Sequence, residues 1–409
     1  MPLGTVIVVI GLALVGLVWI LHLRLRGAVR PAAPLAPLRA HPPLTVIRPI
    51  RGLDVGAAEN IRAALDHGYP GRVRTFFVFD DEAEPALPLV KQAIAERQAA
   101  GTPVDADIIV CGHPQAGRTG KINAMIAGLR RTTTELVVFA DSDIRPDQGA
   151  LAALVDALAA APDAGVAFVP VYSRELPTTV GDVGYALLLN GLYGPAAALA
   201  ARGRGGDLPF IMGQLMLLRC SALEAIGGVE AADGQLVDDM YIGQRLVAAG
   251  YRNLVVPHPV PVIQHGLSLP GFVGDFVRWI TFSRTGLPDW RFKAVPFLHG
   301  VACWAGTLLM LLALAGGHFL AAAVALLAPV SVALSLNELH RVVGGAPIRL
   351  RHAWVAFALL LMAPAVLVRT LYARQVTWRG RTYGLDAGAH LAAPVPDSTH
   401  DDGPHALAR

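Results

Sequence analysis

The stretch Val-Val-Phe-Ala-Asp-Ser-Asp-Ile-Arg-Pro, residues 137–146, decides the fold that we predict. Its apolar run ends in Asp141 and Asp143, the pattern of a buried strand that brings two carboxylates to the carboxyl edge of a sheet, where open α/β folds bind ligands. Two such carboxylates can hold a hard divalent cation, and that cation can neutralise a diphosphate. A strand followed by an Asp-rich turn is the simpler interpretation of this segment alone, because aspartate is common where strands stop.

The chain on both sides of this stretch alternates between strand and helix patterns. We predict strands at 45–50, 74–79, 107–110 and 136–140, and helices at 57–67, 85–99, 121–130 and 148–160. Because strands and helices alternate, we expect a mostly parallel sheet that is buried on both faces. This α/β architecture is typical of nucleotide-binding proteins, although a fold alone does not specify a reaction.

The composition indicates a membrane protein. The 409 residues are 54% hydrophobic, and their mean hydropathy of +0.49 exceeds that of soluble domains. Residues 1–21 are uncharged and a basic flank follows them, so we favour a retained anchor over a cleaved signal peptide, whose basic region precedes its apolar run. The uncharged region 295–336 has room for two helices with a turn at Gly316-Gly317. The shorter run 353–368 is either a tilted span or a re-entrant segment.

Charge and cysteine content exclude two classes of site. The net charge of +3, with no block of lysine and arginine, gives no indication of nucleic-acid binding. Cys111, Cys220 and Cys303 lack the spacing of metal ligands and are expected to be buried free thiols.

Two further pairs of aspartates lie at the ends of predicted elements. Asp80 and Asp81 follow the strand at 74–79, and Asp238 and Asp239 open a helix at 240–249. Helix capping is the competing interpretation of both pairs. Between them along the chain, Lys121 lies at a glycine-rich helix start that suits a phosphate but lacks the spacing of a P-loop.

Two segments are candidates for contact with the membrane surface. Residues 275–290 mix arginines with aromatic and apolar residues, which is typical of a helix that lies in the membrane interface or of a simple juxtamembrane anchor. Residues 177–202, rich in Leu, Ala and Tyr, are either a second interfacial element or a buried helix of the soluble domain.

In their order along the chain, these motifs resemble the inverting GT-A glycosyltransferases (family 2-like), and most closely the ceramide glucosyltransferase group with its hopanoid-directed relatives. The resemblance covers residues 44–290 and recurs at the tail. The matching segments are Thr45 to Gly52, Phe77 to Pro85, Lys121 to Asn123, Asp141 to Ile144, Gly213 to Arg219 with Asp238-Asp239, and Trp378 to Tyr383. It implies an α/β fold, a GT-A (nucleotide-diphospho-sugar transferase) domain with a mostly parallel sheet, plus N-terminal and C-terminal transmembrane helices.

The resemblance also implies a role for individual residues. Asp141 and Asp143 would bind Mg²⁺ or Mn²⁺ on the diphosphate of a UDP-sugar. Asp239, with Asp238 beside it, would be the catalytic base that deprotonates the acceptor hydroxyl. Asp81 would recognise the nucleoside. The other implied substrate-binding residues are Lys121, Gly213, Gln214, Arg278 and Trp279.

One position departs from the family's Gln/Arg-x-x-Arg-Trp motif. Asp275 stands where glutamine or arginine is expected, and a carboxylate cannot donate hydrogen bonds to phosphate. Either Arg284 or His265 compensates, or the acceptor or donor differs from that of the ceramide enzymes. His265 is also a secondary candidate for the metal site.

The expected function is that of a membrane-bound inverting glycosyltransferase that moves a hexose, glucose from UDP-glucose, to a lipid hydroxyl such as that of a ceramide or a hopanoid. The alternatives are a processive polysaccharide synthase and a non-catalytic membrane scaffold that retains the GT-A fold. The expected partners are the nucleotide-sugar donor, the lipid acceptor and the membrane, without nucleic acid.

The expected organisation places the enzyme in a bacterial-type inner (cell) membrane with its catalytic domain in the cytoplasm. We divide the chain into an N-terminal transmembrane anchor (1–23), a linker (24–43), a GT-A catalytic domain (44–267), an interfacial amphipathic segment (268–293), C-terminal membrane helices (294–372) and a basic, then disordered tail (373–409).

Overall fold

A computed structural model of the chain describes residues 2–30, 41–286, 289–386 and 390–392, and the side chains within them apart from 284–286. Half of the predicted linker, residues 31–40, and residues 387–389 and 393–409 of the predicted tail lie outside the described residues. The strands are β1 (Leu44–Pro49), β2 (Val73–Phe79), β3 (Ala106–Val110), β4 (Leu136–Ala140), β5 (Ala164–Phe168), β6 (Val171–Ser173), β7 (Leu215–Arg219), β8 (Arg252–Val255), β9 (Val260–Val262), β10 (Gln375–Trp378) and β11 (Arg381–Gly384).

The helices alternate with these strands in the soluble domain and continue beyond it. They are α1 (Leu3–Ala28), α2 (Ala57–Leu65), α3 (Leu87–Ala99), α4 (Gly120–Leu129), α5 (Ala150–Ala160), α6 (Val180–Ala186), α7 (Gly194–Arg202), α8 (Cys220–Ala225), α9 (Asp238–Ala248), α10 (Leu269–Gly286), α11 (Trp290–Ala315), α12 (Phe319–Val342) and α13 (Val355–Leu371). A π-helix at Leu187–Tyr193 joins α6 to α7, and short 3-10 helices lie at Val229–Ala232 and Leu350–His352.

A seven-stranded sheet in the order β3-β2-β1-β4-β7-β5-β8 forms the centre of the soluble domain. Strand β7 is antiparallel to β4 and β5, and the other neighbouring strands are parallel. Strand β4 is buried at all five positions because helices cover both faces of the sheet, and this explains its unbroken apolar sequence. The prediction of an α/β fold with a mostly parallel sheet is therefore confirmed. Parallel pairing also brings the carboxyl ends of β1, β2 and β4 to one edge.

Five helical segments are long and apolar enough to cross a membrane, judged by length and composition among the described residues. They are Leu3–Ala28, Val180–Arg202, Trp290–Ala315, Phe319–Val342 and Leu350–Leu371. Helices α11 and α12 are separated at the predicted glycine turn, where Gly317 has a φ of +70°. These segments agree with the predicted N-terminal and C-terminal apolar helices.

Helices α1 and α12 run side by side in the same direction. The His22 ring is 3.0 Å from Ser335 Oγ, and Arg26 Nε is 3.2 Å from a carboxylate oxygen of Glu338. Residues later in α1 therefore contact residues later in α12, as parallel helices require. The carboxyl ends of α1 and α12 and the amino end of α11 therefore lie on one side, the side of the soluble domain.

Helix α13 belongs to a segment that begins and ends on that same side. Just after α12, Gly344 lies beside the ring of Tyr172 in β6, since a Cβ there would be 3.2 Å from it. Just after α13, strand β10 brings Trp378 to a cavity of the soluble domain. The chain thus leaves the soluble domain and returns to it, which favours the re-entrant alternative over a single crossing. It also keeps Arg369 and Arg374 on the side of the soluble domain.

The segment from α6 to α7 is a buried helix. Residues 187–192 of its π-helical part are all buried, and the segment contacts α1, α10, α11 and α12. Of the two alternatives for residues 177–202, the structure therefore favours burial between the soluble domain and the apolar helices.

Candidate active site

A cavity opens at the edge of the sheet where β1, β2 and β4 end. Its wall is built from the loops after these strands, the first turns of α4 and α9, the middle of α10, the π-helix and the β10–β11 hairpin. Eight of the residues selected from sequence line this one cavity: Lys121, Asp141, Asp143, Gln214, Asp238, Asp239, Arg278 and Trp279.

Lys121 lies between the two pairs of aspartates. Its Nζ is 2.7 Å from Asp141 Oδ1 and 3.9 Å from Asp238 Oδ2, and it donates to Gly213 O at 3.4 Å. The side chain points inward from the first turn of α4, where Thr119 caps the helix by accepting a hydrogen bond from the backbone N–H of Ile122. Burial opposes the charge of Lys121, but the surrounding carboxylates outweigh burial and raise the pKa of its ammonium group. Lys121 is therefore a fixed cation at the centre of the cavity.

The loop that carries Asp141 and Asp143 is held from below by a buried arginine. Arg48 is 1% exposed, and its guanidinium donates to the carbonyl oxygens of Ile144 at 2.6 Å and Ser142 at 3.3 Å. Burial lowers the pKa of Arg48 to about 10, which leaves it charged at neutral pH, and the nearby aspartates favour that charge. These hydrogen bonds from Arg48 fix the loop in a conformation in which both carboxylates face the cavity.

The two carboxylates of this loop leave negative charge that is only partly balanced. Burial and the neighbouring Asp141 raise the pKa of Asp143 to about 6. The Oδ1 atom of Asp143 is buried and accepts no hydrogen bond from the described residues. Carboxylate oxygens are the donors that Mg²⁺ and Mn²⁺ prefer, and Mg²⁺ is commonly held by one or two carboxylates together with substrate phosphates and water. The residues present therefore fit a divalent cation, with Asp141 and Asp143 as its protein ligands.

Asp238 and Asp239 occupy a different environment, at the first turn of α9. Asp239 accepts hydrogen bonds from the backbone N–H groups of Gly213 at 2.5 Å and Met240 at 2.8 Å. Burial and the adjacent Asp238 raise the pKa of Asp239 to about 7, and burial also raises the pKa of Asp238. A carboxylate with this pKa can exchange a proton near neutral pH.

Gly213 contacts Asp239 directly, which explains why a glycine is found there. A Cβ at position 213 would lie 2.5 Å from Asp239 Cβ and 2.7 Å from its Oδ2, a separation that real Cβ atoms do not show. The sequence analysis selected Gly213 as a substrate-binding residue, and the contact that the structure describes is with the side chain of Asp239.

The helix α10 brings one arginine and several aromatic rings to the cavity. Arg278 pairs with Asp275 one helical turn earlier, at 3.0 Å, so the departing motif residue engages the arginine of its own motif. Trp279 packs between Tyr185 and Tyr193, with ring centroids 5.3 and 5.4 Å apart. This wall is apolar and belongs to elements that pack against the apolar helices.

Among the residues considered from sequence whose side chains are described, Asp81, His265 and Gly213 are not in the lining of this cavity. Asp81 Oδ1 caps a turn by accepting from the Ala83 N–H at 2.8 Å, whereas its neighbour Asp80 is buried and lines the cavity. His265 is exposed and outside the lining, and within the described ranges no group of three or more His, Cys, Asp or Glu residues forms a metal cluster. The side chain of Arg284 lies outside the described part of the chain.

The C-terminal hairpin, β10 and β11, is the largest part of the cavity wall that was not predicted from the sequence. Trp378, Arg379, Arg381 and Tyr383 all line it. The Trp-Arg-Gly-Arg-Thr-Tyr motif was recognisable as a resemblance, but its position depends on contacts with residues about 300 positions earlier, such as those of Arg381 with Asp80 at 3.0 Å. A contact between residues this far apart along the chain cannot be recognised from the sequence before the fold is known.

Comparison with known proteins supports the resemblance. The family described as Glycosyl transferase family 21 matches residues 5–391. The chain is 22% identical over 292 residues to Ceramide glucosyltransferase 3 of Caenorhabditis elegans, covering 69% of this chain and 60% of that protein. It is 24% identical over 250 residues to Ceramide glucosyltransferase 1 of the same organism, covering 60% and 51%. The chain therefore spans between about half and 60% of the length of these curated relatives.

A solved structure has the same fold. The mannosyltransferase PcManGT from Pyrobaculum calidifontis, solved in complex with GDP-Man and Mn²⁺, superposes with a TM-score of 0.55 at 20% identity, over 90% of this chain and 99% of that chain. This similarity confirms the predicted GT-A fold.

Proposed function

Because the chain belongs to glycosyl transferase family 21, we propose that it is a membrane-bound inverting glycosyltransferase that moves a sugar from a nucleotide donor to a lipid hydroxyl. For the finer assignment, we propose glucose from UDP-glucose as the donor and a lipid of the ceramide or hopanoid type as the acceptor. The observation that carries the proposal is the convergence of Lys121 and two aspartate pairs in one cavity whose opposite wall is aromatic and adjoins the apolar helices.

The donor half of the proposed site is the side nearest β4. Lys121 would face the diphosphate of the donor as a point charge, and Asp141 and Asp143 would hold the divalent cation. When bound, Mg²⁺ or Mn²⁺ neutralises the negative charge that the departing diphosphate carries. The complex of the mannosyltransferase PcManGT with GDP-Man and Mn²⁺ supports a divalent cation and a nucleotide sugar. Asp80, which lines the cavity, is a better placed candidate for the nucleoside side than Asp81, which lies outside the lining.

The acceptor half is the side nearest α9 and α10. Inversion by a single displacement requires a base on the face opposite the leaving group, and we propose Asp239 for this role. Its two backbone hydrogen bonds orient the carboxylate, and its pKa of about 7 keeps it partly deprotonated at neutral pH while it remains a strong enough base. Asp238 maintains that pKa by placing a like charge beside it.

The apolar surroundings suit a lipid acceptor. Trp279, Tyr185 and Leu189 form the wall of the cavity toward α10 and the π-helix, and both of these contact apolar helices that are candidates for membrane spans. A lipid hydroxyl lies at the membrane interface, so it can reach Asp239 only if the cavity opens beside the bilayer. The relatives named as ceramide glucosyltransferases support this class of acceptor.

The proposal is tested with purified membranes that contain the protein, labelled UDP-glucose, UDP-galactose and GDP-mannose, and extracted lipids, with and without EDTA. We expect a labelled lipid product that requires a divalent cation and is absent with the Asp239→Asn variant. A product from GDP-mannose alone would replace the donor that we propose. If no combination of donor and lipid gave a metal-dependent product that the variant fails to make, the proposed function would be rejected.

A further inference from the structure

The turn of the C-terminal hairpin has an unusual residue at its tip. Strands β10 and β11 are joined by the two residues Arg379 and Gly380, whose φ angles are +51° and +74°. Two-residue hairpin turns with positive φ at both positions favour Asn, Asp or Gly, because a larger side chain strains the backbone there. Among the described residues, Arg379 is the one non-glycine with positive φ. Such a residue is commonly retained for its function.

The guanidinium of Arg379 extends from this turn to the proposed metal site. It pairs with Asp54, lies 3.5 Å from Ser142 Oγ, and lies 3.7 Å from Asp143 Oδ2. The backbone holds it there, because the carbonyl oxygen of Arg379 accepts a hydrogen bond from Arg51 Nε at 2.7 Å. The attraction of the acidic neighbours outweighs burial and raises the pKa of Arg379, so it stays charged. A second arginine of the hairpin, Arg381, anchors it to Asp80.

The arginine of α10 has a carboxylate partner on its own helix. Arg278 is paired at 3.0 Å with Asp275, the residue that replaces the glutamine or arginine of the motif. Of the other candidates for compensation, His265 lies outside the cavity lining. A diphosphate that sits on Asp141 and Asp143 through a cation would lie next to Arg379.

We propose that Arg379, the first arginine of the closing Trp-Arg-Gly-Arg-Thr-Tyr segment, binds the donor diphosphate in this chain. This assignment rests on the proposed glycosyltransferase function. Without donor, Arg379 balances Asp54 and Asp143. With donor, its planar fork donates to diphosphate oxygens, an arrangement that arginine supports and lysine does not.

The test measures binding instead of turnover, by isothermal titration of the detergent-purified protein with UDP at saturating Mn²⁺. The variant is Arg379→Asn, because asparagine is favoured at positive φ and keeps the turn while removing the guanidinium. The matched control is Arg374→Asn, which removes the same charge from an exposed position just before the hairpin. We expect Arg379→Asn to weaken UDP binding about tenfold or more, the equivalent of one charge-assisted hydrogen bond, with Arg374→Asn near wild type.

Two further measurements separate binding from a structural role. Titration with Mn²⁺ alone should show Arg379→Asn binding the cation at least as tightly as wild type, because a positive charge beside Asp143 has been removed; a collapsed site would bind Mn²⁺ more weakly. Arg278→Gln should weaken UDP binding less than Arg379→Asn does.

The outcomes distinguish this assignment from the proposed function. Equal UDP binding by wild type and Arg379→Asn, a larger effect of Arg278→Gln, or a parallel loss of Mn²⁺ binding would overturn the role of Arg379 alone. A wild-type protein that bound neither UDP nor GDP with Mn²⁺ would overturn the proposed function.

Discussion

The two aspartate pairs of the cavity, Asp141 with Asp143 and Asp238 with Asp239, have similar composition but different surroundings. The first pair follows a strand and has cations on both sides, with Lys121 on Asp141 and Arg379 near Asp143. The second pair opens a helix, and Asp239 accepts only backbone N–H groups among its described hydrogen bonds. Lys121 is shared, since it also lies 3.9 Å from Asp238 Oδ2, so the difference between the pairs is Arg379 beside Asp143 and the two backbone N–H groups on Asp239.

This difference separates the chemistry that each pair can perform. Carboxylates with an oxygen that has no hydrogen-bond partner, beside cations that can contact a diphosphate, suit a metal and diphosphate site, whereas a buried carboxylate held by amides suits proton transfer. Burial and a like charge raise both pKa values, that of Asp239 to about 7 and that of Asp143 to about 6, so the pairs are distinguished by their hydrogen-bond and ion-pair partners. Paired carboxylates whose environments differ in this way commonly divide the roles of a reaction. The following predictions test that division.

The largest effect is expected from Asp239→Asn. The amide keeps the size of the side chain but cannot accept the hydroxyl proton, so we expect turnover to fall by about 10²- to 10⁴-fold, the usual contribution of a general base. UDP binding should stay close to wild type, because the donor half of the cavity is unchanged. Labelled-lipid formation measures the first quantity and isothermal titration the second. Lost UDP binding together with residual turnover would exclude Asp239 as the base.

The reverse pattern is expected from Asp143→Asn. Substituting a residue that only contacts a metal ligand weakens metal binding ~10- to 100-fold. Removing one of the two proposed protein ligands should therefore weaken Mn²⁺ binding by at least as much. The variant Asp81→Asn, at a position outside the cavity lining, is the matched control and should bind Mn²⁺ as wild type does. Unchanged Mn²⁺ affinity in Asp143→Asn would show that the cation binds elsewhere. The two aspartate pairs would then no longer differ in metal binding.

Much of the soluble domain could be predicted from sequence because its strands are local signals. The strand at 136–140 has the predicted bounds, and β1 and β2 begin one residue before theirs, since an unbroken apolar run between turn residues marks a strand buried on both faces. Parallel strands that end at one edge led to the expectation that Asp80-Asp81 and Asp141-Asp143 lie together, and the family resemblance added Lys121 and Asp238-Asp239 to the same site. All of these except Asp81 line one cavity, which agrees with that expectation, and their roles stay predictions.

What could not be predicted depends on register and on distant contacts. Asp80 and Asp81 are adjacent, and side chains of successive residues at a strand end point in opposite directions, so the sequence could not decide which one enters the cavity. The hairpin that carries Arg379 is positioned by contacts with Asp54 and Asp80, which belong to loops near the start of the domain. Whether α13 crosses the membrane or re-enters could not be predicted for a similar reason. Length and hydropathy do not show where the segments before and after the helix contact the soluble domain.

A smaller effect is expected from Lys121→Gln, which removes the cation between the two pairs. We expect UDP binding to weaken about tenfold, the value of one charge-assisted hydrogen bond. Because Lys121 also lowers the pKa of Asp239, its removal should move the acidic limb of the rate profile to higher pH. The exposed Lys91→Gln on α3 is the control. A change in UDP affinity without any change in the pH profile would mean that Lys121 serves only the first pair.

The smallest and most selective effect concerns pH. Burial and Asp238 raise the pKa of Asp239 to about 7, and a base acts in its deprotonated form, so kcat/KM should rise with pH up to about 7 and level off above it. Asp238→Asn removes the like charge, so the acidic limb of the kcat/KM profile should move to lower pH. The value of kcat/KM should change little at pH 8, and at pH 6 it should rise relative to the plateau. The exposed Glu224→Gln on α8 removes a carboxylate outside the cavity lining and should leave the limb in place. If Asp238→Asn also left the limb unchanged, the titrating group would not be Asp239, and the backbone-held pair would lose the property that distinguishes it from Asp141 and Asp143.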